Sequence, residues 1–224
     1  TQRAIDEISV MERLVVRGLI GDPAREGVLD ITPFPSEVTS ELLMKAASLG
    51  LFPVLLPDQE IGVDRQMIDG YVKPEPWFYT KIAEGKIASD ALRLYGGWYL
   101  VDFTPNVEYT DGTQVFPNDP LTPIITRLRA KKLVGRWDVT PLGSRFAITP
   151  VEWAKQVCPA VAAELGLDPQ HVRLERAIEF NFVGNIFDRK RGTFNSWEWF
   201  HDSFEESSQL CGGYRDDGGL ASVR

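Results

Sequence analysis

Cysteine, histidine and long apolar runs are scarce in this sequence. Its 224 residues include two cysteines and two histidines, too few for a disulfide framework or a cysteine-rich zinc site. No segment approaches the ~18 continuous apolar residues that span a bilayer. Cys158 and Cys211 could form one disulfide, but two free thiols are favoured because Cys158 falls in a predicted helix, where thiols are commonly buried. The sequence therefore predicts neither a membrane span nor a metal site.

A positively charged surface is also missing. The chain carries a net charge of −8, and a broad nucleic-acid surface would need a basic stripe. No nucleic-acid partner is therefore predicted. The short cluster Asp188-Arg189-Lys190-Arg191 could contact a phosphate, but a solvated loop is the favoured interpretation. With 43% hydrophobic residues, the chain is long enough to bury a sizeable core.

The first third of the chain has helical patterns. Apolar spacing predicts one helix over residues 5–19 and a second that Ser36 caps and Gly50 ends. Residues 51–56 then predict a strand at a sheet edge, because Pro53 cannot donate to a ladder.

The middle of the chain indicates strands and one helix. Residues 98–103 have the aromatic and β-branched content of a strand, and residues 107–116 predict a hairpin that turns at Asp111-Gly112. A helix is predicted after Pro123. Its inward residues are expected to be Ile124, Ile125 and Leu128. Its basic residues Arg127, Arg129, Lys131 and Lys132 are expected near the C-terminal end, where cations complement the helix dipole.

The strongest local signal is a capping box. Thr149 can accept from first-turn N–H groups, Glu152 can reach back to the cap, and Pro150 suits the first helical position. A helix is expected to begin there, to bend near Pro159 and to stop by Gly166.

The final third of the chain carries a series of motifs. In order they are Thr149-Pro150-Val151-Glu152-Trp153-Ala154, Val172-Arg173-Leu174, Ala177-Ile178-Glu179-Phe180, Asn195-Ser196-Trp197-Glu198-Trp199 with Asp202, and Gly212-Gly213-Tyr214. The series resembles the formylglycine-generating-enzyme-like branch of the C-type-lectin-like fold, over about residues 143–224. Family members close with a Gly-Phe-Arg strand, and none follows Gly213 here. We therefore predict an α+β chain. Apolar spacing indicates a helical region at 1–70, and the resemblance implies a C-type-lectin-like region at 71–224 that lacks its last strand.

The same resemblance bears on chemistry. Enzymes of this branch place reactive cysteines after the Gly-Gly-aromatic element, whereas residues 215–223 contain no thiol. Copper-dependent oxidation is therefore not supported. Iron-dependent relatives would need histidines and a carboxylate on one metal, but His171 and His201 stand in different motifs. No catalytic residue, metal or cofactor is predicted.

A binding role is what the resemblance implies instead, since these scaffolds carry ligand residues near their C-terminal end and are diversified by retroelements in some proteins. The expected ligand-binding residues are Tyr214, Arg215, Asp216, Asp217, Ser222 and Arg224. The partner would be a protein, a small molecule or a glycan. Trp197 and Trp199 suit either a stacking platform or the core, and core packing is favoured. Glu198 should then point the other way and bond a neighbouring loop.

Two other functions stay open. One is a catalytically altered oxidase or oxygenase of the same family. The other is a structural component of a phage or a cell surface, with the helical N-terminal region docked to an assembly. The sequence does not assign the ligand or the compartment.

Overall fold

The structure is a computed structural model that describes residues 35–111, 113, 115–188, 190–205 and 208–224. The helix predicted over residues 5–19 lies outside these. The next predicted helix is present as α1 (Ser40–Ser48), and its cap is Thr39 rather than Ser36. The Thr39 hydroxyl accepts from a first-turn N–H at 3.1 Å. Gly50 follows α1 with φ of 75°, the left-handed conformation that ends many helices.

Three antiparallel two-stranded sheets are formed by the described residues. β1 (Leu51–Leu56) pairs with β4 (Gly97–Asp102), β2 (Gln59–Glu60) pairs with β3 (Arg93–Leu94), and β5 (Glu198–Phe204) pairs with β6 (Ser208–Gly212). The strands predicted over 51–56 and 98–103 are therefore confirmed. β1 has one neighbour, as expected of an edge strand that contains Pro53. Helices and small antiparallel sheets together make the chain α+β.

The hairpin predicted over residues 107–116 is wrong for the described residues. β4 pairs with β1 instead, and the described part of 107–116 forms no strand. Asp111 turns the chain through its side chain, which accepts from the backbone N–H of Thr113 at 2.8 Å. Such a side-chain turn competes with ladder formation. Gly112 lies outside the described residues.

Two helices before residue 131 begin with proline in their first turn, where its missing N–H leaves no bond unmade. They are α2 (Pro76–Ala83) and α3 (Thr122–Ala130). The inward residues predicted for α3, Ile124, Ile125 and Leu128, are all buried. Arg127 and Arg129 lie in the last turn of α3, as predicted, and Arg129 is only 5% exposed. Short 3₁₀ turns occur at Ser89–Leu92, Pro169–His171, Arg215–Asp217 and Gly219–Ala221.

The predicted capping box is present. Glu152 donates its backbone N–H to the Thr149 hydroxyl, and the Glu152 carboxylate accepts from the Thr149 N–H at 2.9 Å. α4 (Pro150–Glu152) continues through a π-helical segment (Trp153–Val157) into α5 (Cys158–Leu165). The irregularity lies beside Pro159, which lacks the N–H that a regular ladder needs. Gly166 ends the helix with φ of 75°.

The core is organised around α6 (Ala177–Ile186), in which nine of ten residues are buried. On one side Phe180 packs against Phe200, with ring centroids 5.3 Å apart. On another side Ile178 and Phe182 pack with Val54 of β1. A further apolar cluster lies between α1, α3 and α5. α6 thus joins the two C-terminal strands to the sheet of β1 and β4.

The Gly-Gly motif is explained by close packing. A Cβ on Gly213, whose φ is 83°, would lie 2.8 Å from the Phe180 ring, and one on Gly212 would lie 2.1 Å from the carbonyl oxygen of Ser222. Residues 222–224 pass beside β6, with Val223 opposite Gly212. The C-type-lectin-like fold, the missing last strand and the boundary at residue 70 stay predictions.

Two further expectations concern cysteines and membranes. Cys158 and Cys211 are free thiols, as favoured from the sequence. Burial raises the pKa of Cys158 to about 11, so its thiol stays protonated at neutral pH. Among the helices that the structure describes, none has the length and apolarity to cross a bilayer.

Candidate functional site

The tryptophans of the Trp-Glu-Trp motif are not in the core. Trp197 is 41% exposed and Trp199 is 38% exposed, so the prediction that they pack inside is wrong. Trp197 precedes β5, and alternation along that strand turns Trp199 outward and Phe200 inward. Phe200 is fully buried and takes the core position expected of the tryptophans.

Trp197 is half of an aromatic pair on the surface. Its ring lies parallel to that of Tyr214, with centroids 5.0 Å apart and an interplanar angle of 8°. The guanidinium of Arg224 lies 5.8 Å from the Trp197 ring centroid, within the range of a cation–π contact. Two of the predicted ligand-binding residues therefore meet on one tryptophan.

A row of side chains extends this pair across three chain segments. Trp199 is opposite Cys211 in the register of β5 and β6. Cys211 and Arg224 exchange two backbone hydrogen bonds, at 2.7 and 2.8 Å. Directly opposed residues of antiparallel segments share a face, so Trp199, Cys211 and Arg224 stand in one row. We call Trp197, Trp199, Tyr214, Arg215, Asp216, Asp217 and Arg224 the aromatic face.

Ion pairs surround the aromatic rings. Arg215 lies 2.6 Å from Glu108 and 3.1 Å from Asp216, and Arg224 lies 2.8 Å from Asp217. All of these pairs are solvated, so each contributes little to stability. Their effect is to order two arginines beside the exposed rings.

Ser222 is the predicted ligand residue that lies elsewhere. It is fully buried, and its hydroxyl has no hydrogen-bond partner among the described residues. Its carbonyl accepts from the N–H of Gly213 at 3.3 Å. Ser222 therefore belongs to the support of the aromatic face and not to its surface.

A loop before α3 is fastened beneath the aromatic face. Asn195 donates to the carbonyl of Tyr109 at 2.8 Å and accepts from its N–H. Asn106 donates to the Glu198 carboxylate at 2.8 Å, which confirms that Glu198 points away from the tryptophans and bonds a neighbouring loop. Glu108 was not predicted as a site residue, because no local pattern in the sequence links it to Arg215.

A buried ionic pair lies behind this loop. Arg191 is 8% exposed, so the solvated loop predicted for its cluster is wrong at this residue. It lies 2.5 Å from Glu175 and donates to the carbonyl of Asp102 at 2.5 Å. Its guanidinium is also 5.6 Å from the ring centroids of both Phe103 and Phe180. These partners replace the water that the charge loses on burial.

The pair with Arg191 gives a partner to only one of the two carboxylate oxygens of Glu175. Its second carboxylate oxygen is buried without a hydrogen-bond partner among the described residues. Burial raises the pKa of Glu175 to about 7; Arg191 opposes the shift, and the negative charge of Glu198 adds to it. The carboxyl therefore titrates near neutral pH.

Replacing Glu175 with Gln should flatten part of the pH dependence of folding. Unfolded Glu175 loses its proton near pH 4.5 and folded Glu175 near pH 7, so the folded state binds more protons between these values. Its contribution to stability should then fall as the pH rises from 4.5 to 7, by about 2–3 kcal/mol. Urea unfolding of both proteins at pH 5 and pH 8 measures this. If the unfolding free energy changed equally in the two proteins between pH 5 and pH 8, the titration of Glu175 in this range would be contradicted.

A polar cleft with a volume of about 570 Å³ lies beside β5 and α6. Its lining includes Lys86, Asp90, Arg176, His201, Asp202 and Glu205. Arg176 lies 3.1 Å from Asp202 and 3.5 Å from Asp90. Lys86 lies 3.7 Å from Glu205. Because these charges are matched in pairs, the cleft presents little net charge to a ligand, and the aromatic face is the better candidate site.

Comparison with known proteins gives no independent guide. The chain matches no protein-family model, no curated protein and no solved structure. The resemblance to the formylglycine-generating-enzyme-like branch therefore depends on the residues of the motif series alone.

Proposed function

We propose that this chain is a non-enzymatic binding protein whose ligand contacts the aromatic face, on a scaffold of the C-type-lectin-like class. The observation that carries the proposal is the parallel stack of Trp197 and Tyr214 at the surface, 5.0 Å apart. Around it stand five charged or aromatic residues of the same face. Trp, Tyr and Arg are the residue types that dominate binding energy at protein surfaces.

The stack is suited to binding because it is already ordered. Trp and Tyr provide large contact areas with few rotatable bonds. Stacking fixes both rings before a ligand arrives, and the ion pair with Asp217 fixes Arg224 at 2.8 Å. A ligand would therefore lose little affinity in ordering these side chains.

The position of the aromatic face relative to two clefts indicates the class of ligand. A smaller cleft of about 230 Å³ lies between α1 and the end of α5. Neither this cleft nor the one at Arg176 is lined by residues of the aromatic face. Small molecules usually bind in concave sites that bury most of their surface. We therefore propose a protein or a glycan as the ligand in preference to a small molecule.

The purified 224-residue chain should be tested on a glycan array and on an array of extracellular proteins. Ligands of the wild type should bind at least about tenfold more weakly to the variant Trp197→Ser/Tyr214→Ser, because it removes the stacked pair. Tyr95→Ser is the matched control, since Tyr95 is 42% exposed and lies in the polar cleft. Ligands that the control loses and the double variant keeps would move the site to the cleft and overturn the proposal.

A further inference from the structure

A second exposed apolar surface lies on the loop that follows α3, residues 131–142. Four of its large apolar residues are exposed: Leu133 by 44%, Trp137 by 51%, Val139 by 60% and Leu142 by 44%. The carbonyl of Trp137 accepts from the N–H of Thr140 at 3.0 Å. This tight turn puts Val139 at the tip of the loop, beside Trp137.

The loop is held open by a buried arginine. The guanidinium of Arg129 donates five hydrogen bonds of 2.6–3.0 Å to backbone carbonyls on both arms of the loop region. The acceptors are Gly135, Pro141, Leu142, Ser144 and Phe146. Glu152 also accepts from the N–H of Gly135 at 2.6 Å. The backbone is therefore fixed in a form that keeps its apolar side chains in solvent.

The charge of the loop is opposite to that of the chain. Residues 131–142 contain three cations, Lys131, Lys132 and Arg136, and one acid, Asp138, whereas the whole chain carries −8. All three cations are exposed. Among the described residues they form no ion pair, and Arg136 donates only to the carbonyl of Thr140. An anionic partner would meet an excess of positive charge, three cations against one acid, beside exposed apolar side chains.

We propose that the 131–142 loop docks on an anionic lipid surface. Trp137, Val139 and Leu142 would enter the headgroup region, and the cations would lie against lipid phosphates. Trp and basic residues are characteristic of membrane interfaces. A stable protein interface uses about 20–30 residues on each side, more than this loop offers, whereas lipid binding needs only apolar insertion and charge.

This surface shares no residue with the aromatic face, so the proposal does not depend on the proposed function. The 224-residue chain should be sedimented with vesicles of equal parts phosphatidylserine and phosphatidylcholine, and with vesicles of phosphatidylcholine alone. We expect the chain to bind the anionic vesicles, with each exposed cation raising the affinity about fivefold. Binding should weaken as salt is added, because salt screens these charges. Trp137→Ser/Val139→Ser and Lys131→Gln/Lys132→Gln should each reduce vesicle binding about tenfold or more.

Two matched controls keep the test specific. Trp199→Ser removes a similarly exposed tryptophan (38%) on the aromatic face, and Lys45→Gln removes an exposed lysine of α1. Both should sediment like the wild type. The melting temperature of each loop variant should stay close to that of the wild type, because the replaced side chains are exposed.

Three results would overturn the proposal. They are no sedimentation with the anionic vesicles at low salt, equal sedimentation with both kinds of vesicle, and sedimentation that the loop substitutions leave unchanged. A fourth result would also overturn it: the chain binds a soluble protein through Trp137 but does not bind anionic vesicles. The loop would then be a protein interface.

Discussion

Arg129→Met should lower the free energy of unfolding by about 3–5 kcal/mol. The arginine is 5% exposed, and methionine can replace its apolar stem but none of its five hydrogen bonds. The carbonyls of the 131–142 loop would lose their common donor, and those that stay buried would be left without a partner. Guanidinium chloride unfolding, followed by circular dichroism, measures the loss.

Arg127→Met is the matched control for this experiment. Arg127 lies on the same helix, is 48% exposed at its side chain and makes one ion pair, 2.7 Å from Glu164. A solvated pair of this kind contributes about 0–1 kcal/mol. If Arg129→Met lost no more stability than Arg127→Met, the hydrogen bonds from Arg129 to the loop would contribute nothing measurable.

Asp202→Ala should be equally damaging, with a loss of about 3–5 kcal/mol. The Asp202 side chain is 6% exposed, and its carboxylate lies 3.1 Å from the Nε of Arg176, whose side chain is 7% exposed. It also accepts from the N–H of Ala177, at the start of α6, at 2.7 Å. The substitution would leave a buried guanidinium without its closest counterion and an unbonded helix N–H.

A double-mutant cycle separates these two causes. Arg176→Met removes the unpaired charge, so Asp202→Ala should cost less stability in that background than in the wild type, by about 1–3 kcal/mol. Asp216→Ala, whose side chain is 61% exposed, should change stability by at most about 0.5 kcal/mol. Strict additivity of Asp202→Ala and Arg176→Met would mean that the buried pair is not coupled.

Local signals in the sequence predicted local structure well. The capping box at Thr149 and the stop at Gly166 are both present, because their hydrogen bonds connect residues within a few positions of each other. The buried face of α3 followed its apolar spacing for the same reason. The α+β class follows from such elements and needs no knowledge of how they pack.

Which side of β5 is buried was harder to predict from the sequence. Its period of two is visible in the sequence, but hydrophobicity alone would put the tryptophan side inward. The structure buries the side that carries Phe200 and Asp202, while Glu198 on that side bonds the loop before α3. An acid is buried favourably only where a basic residue pairs with it. Arg176 is distant from Asp202 in the sequence, and the residues around Asp202 do not identify it as that partner.

The aromatic face shows the same division between local and distant information. Tyr214, Arg215, Asp216 and Asp217 are consecutive, so a sequence motif could point to them together. Glu108, the partner of Arg215, lies 107 positions earlier in the chain. Only the packing of the loop before α3 against residues 194–198 brings it there, and no pattern near Glu108 reports that contact.

The burial of α6 on nearly all sides has a consequence for how the molecule unfolds. Ala177 and Phe180 belong to the apolar cluster around Phe200, whereas Ile178, Phe182 and Val183 belong to the cluster around Val54. The helix supplies two of the eight buried residues of the first cluster and three of the seven of the second, so both clusters lose core side chains if it leaves. We therefore expect the two clusters to open together, with the C-terminal strands and the sheet of β1 and β4 unfolding as one cooperative unit.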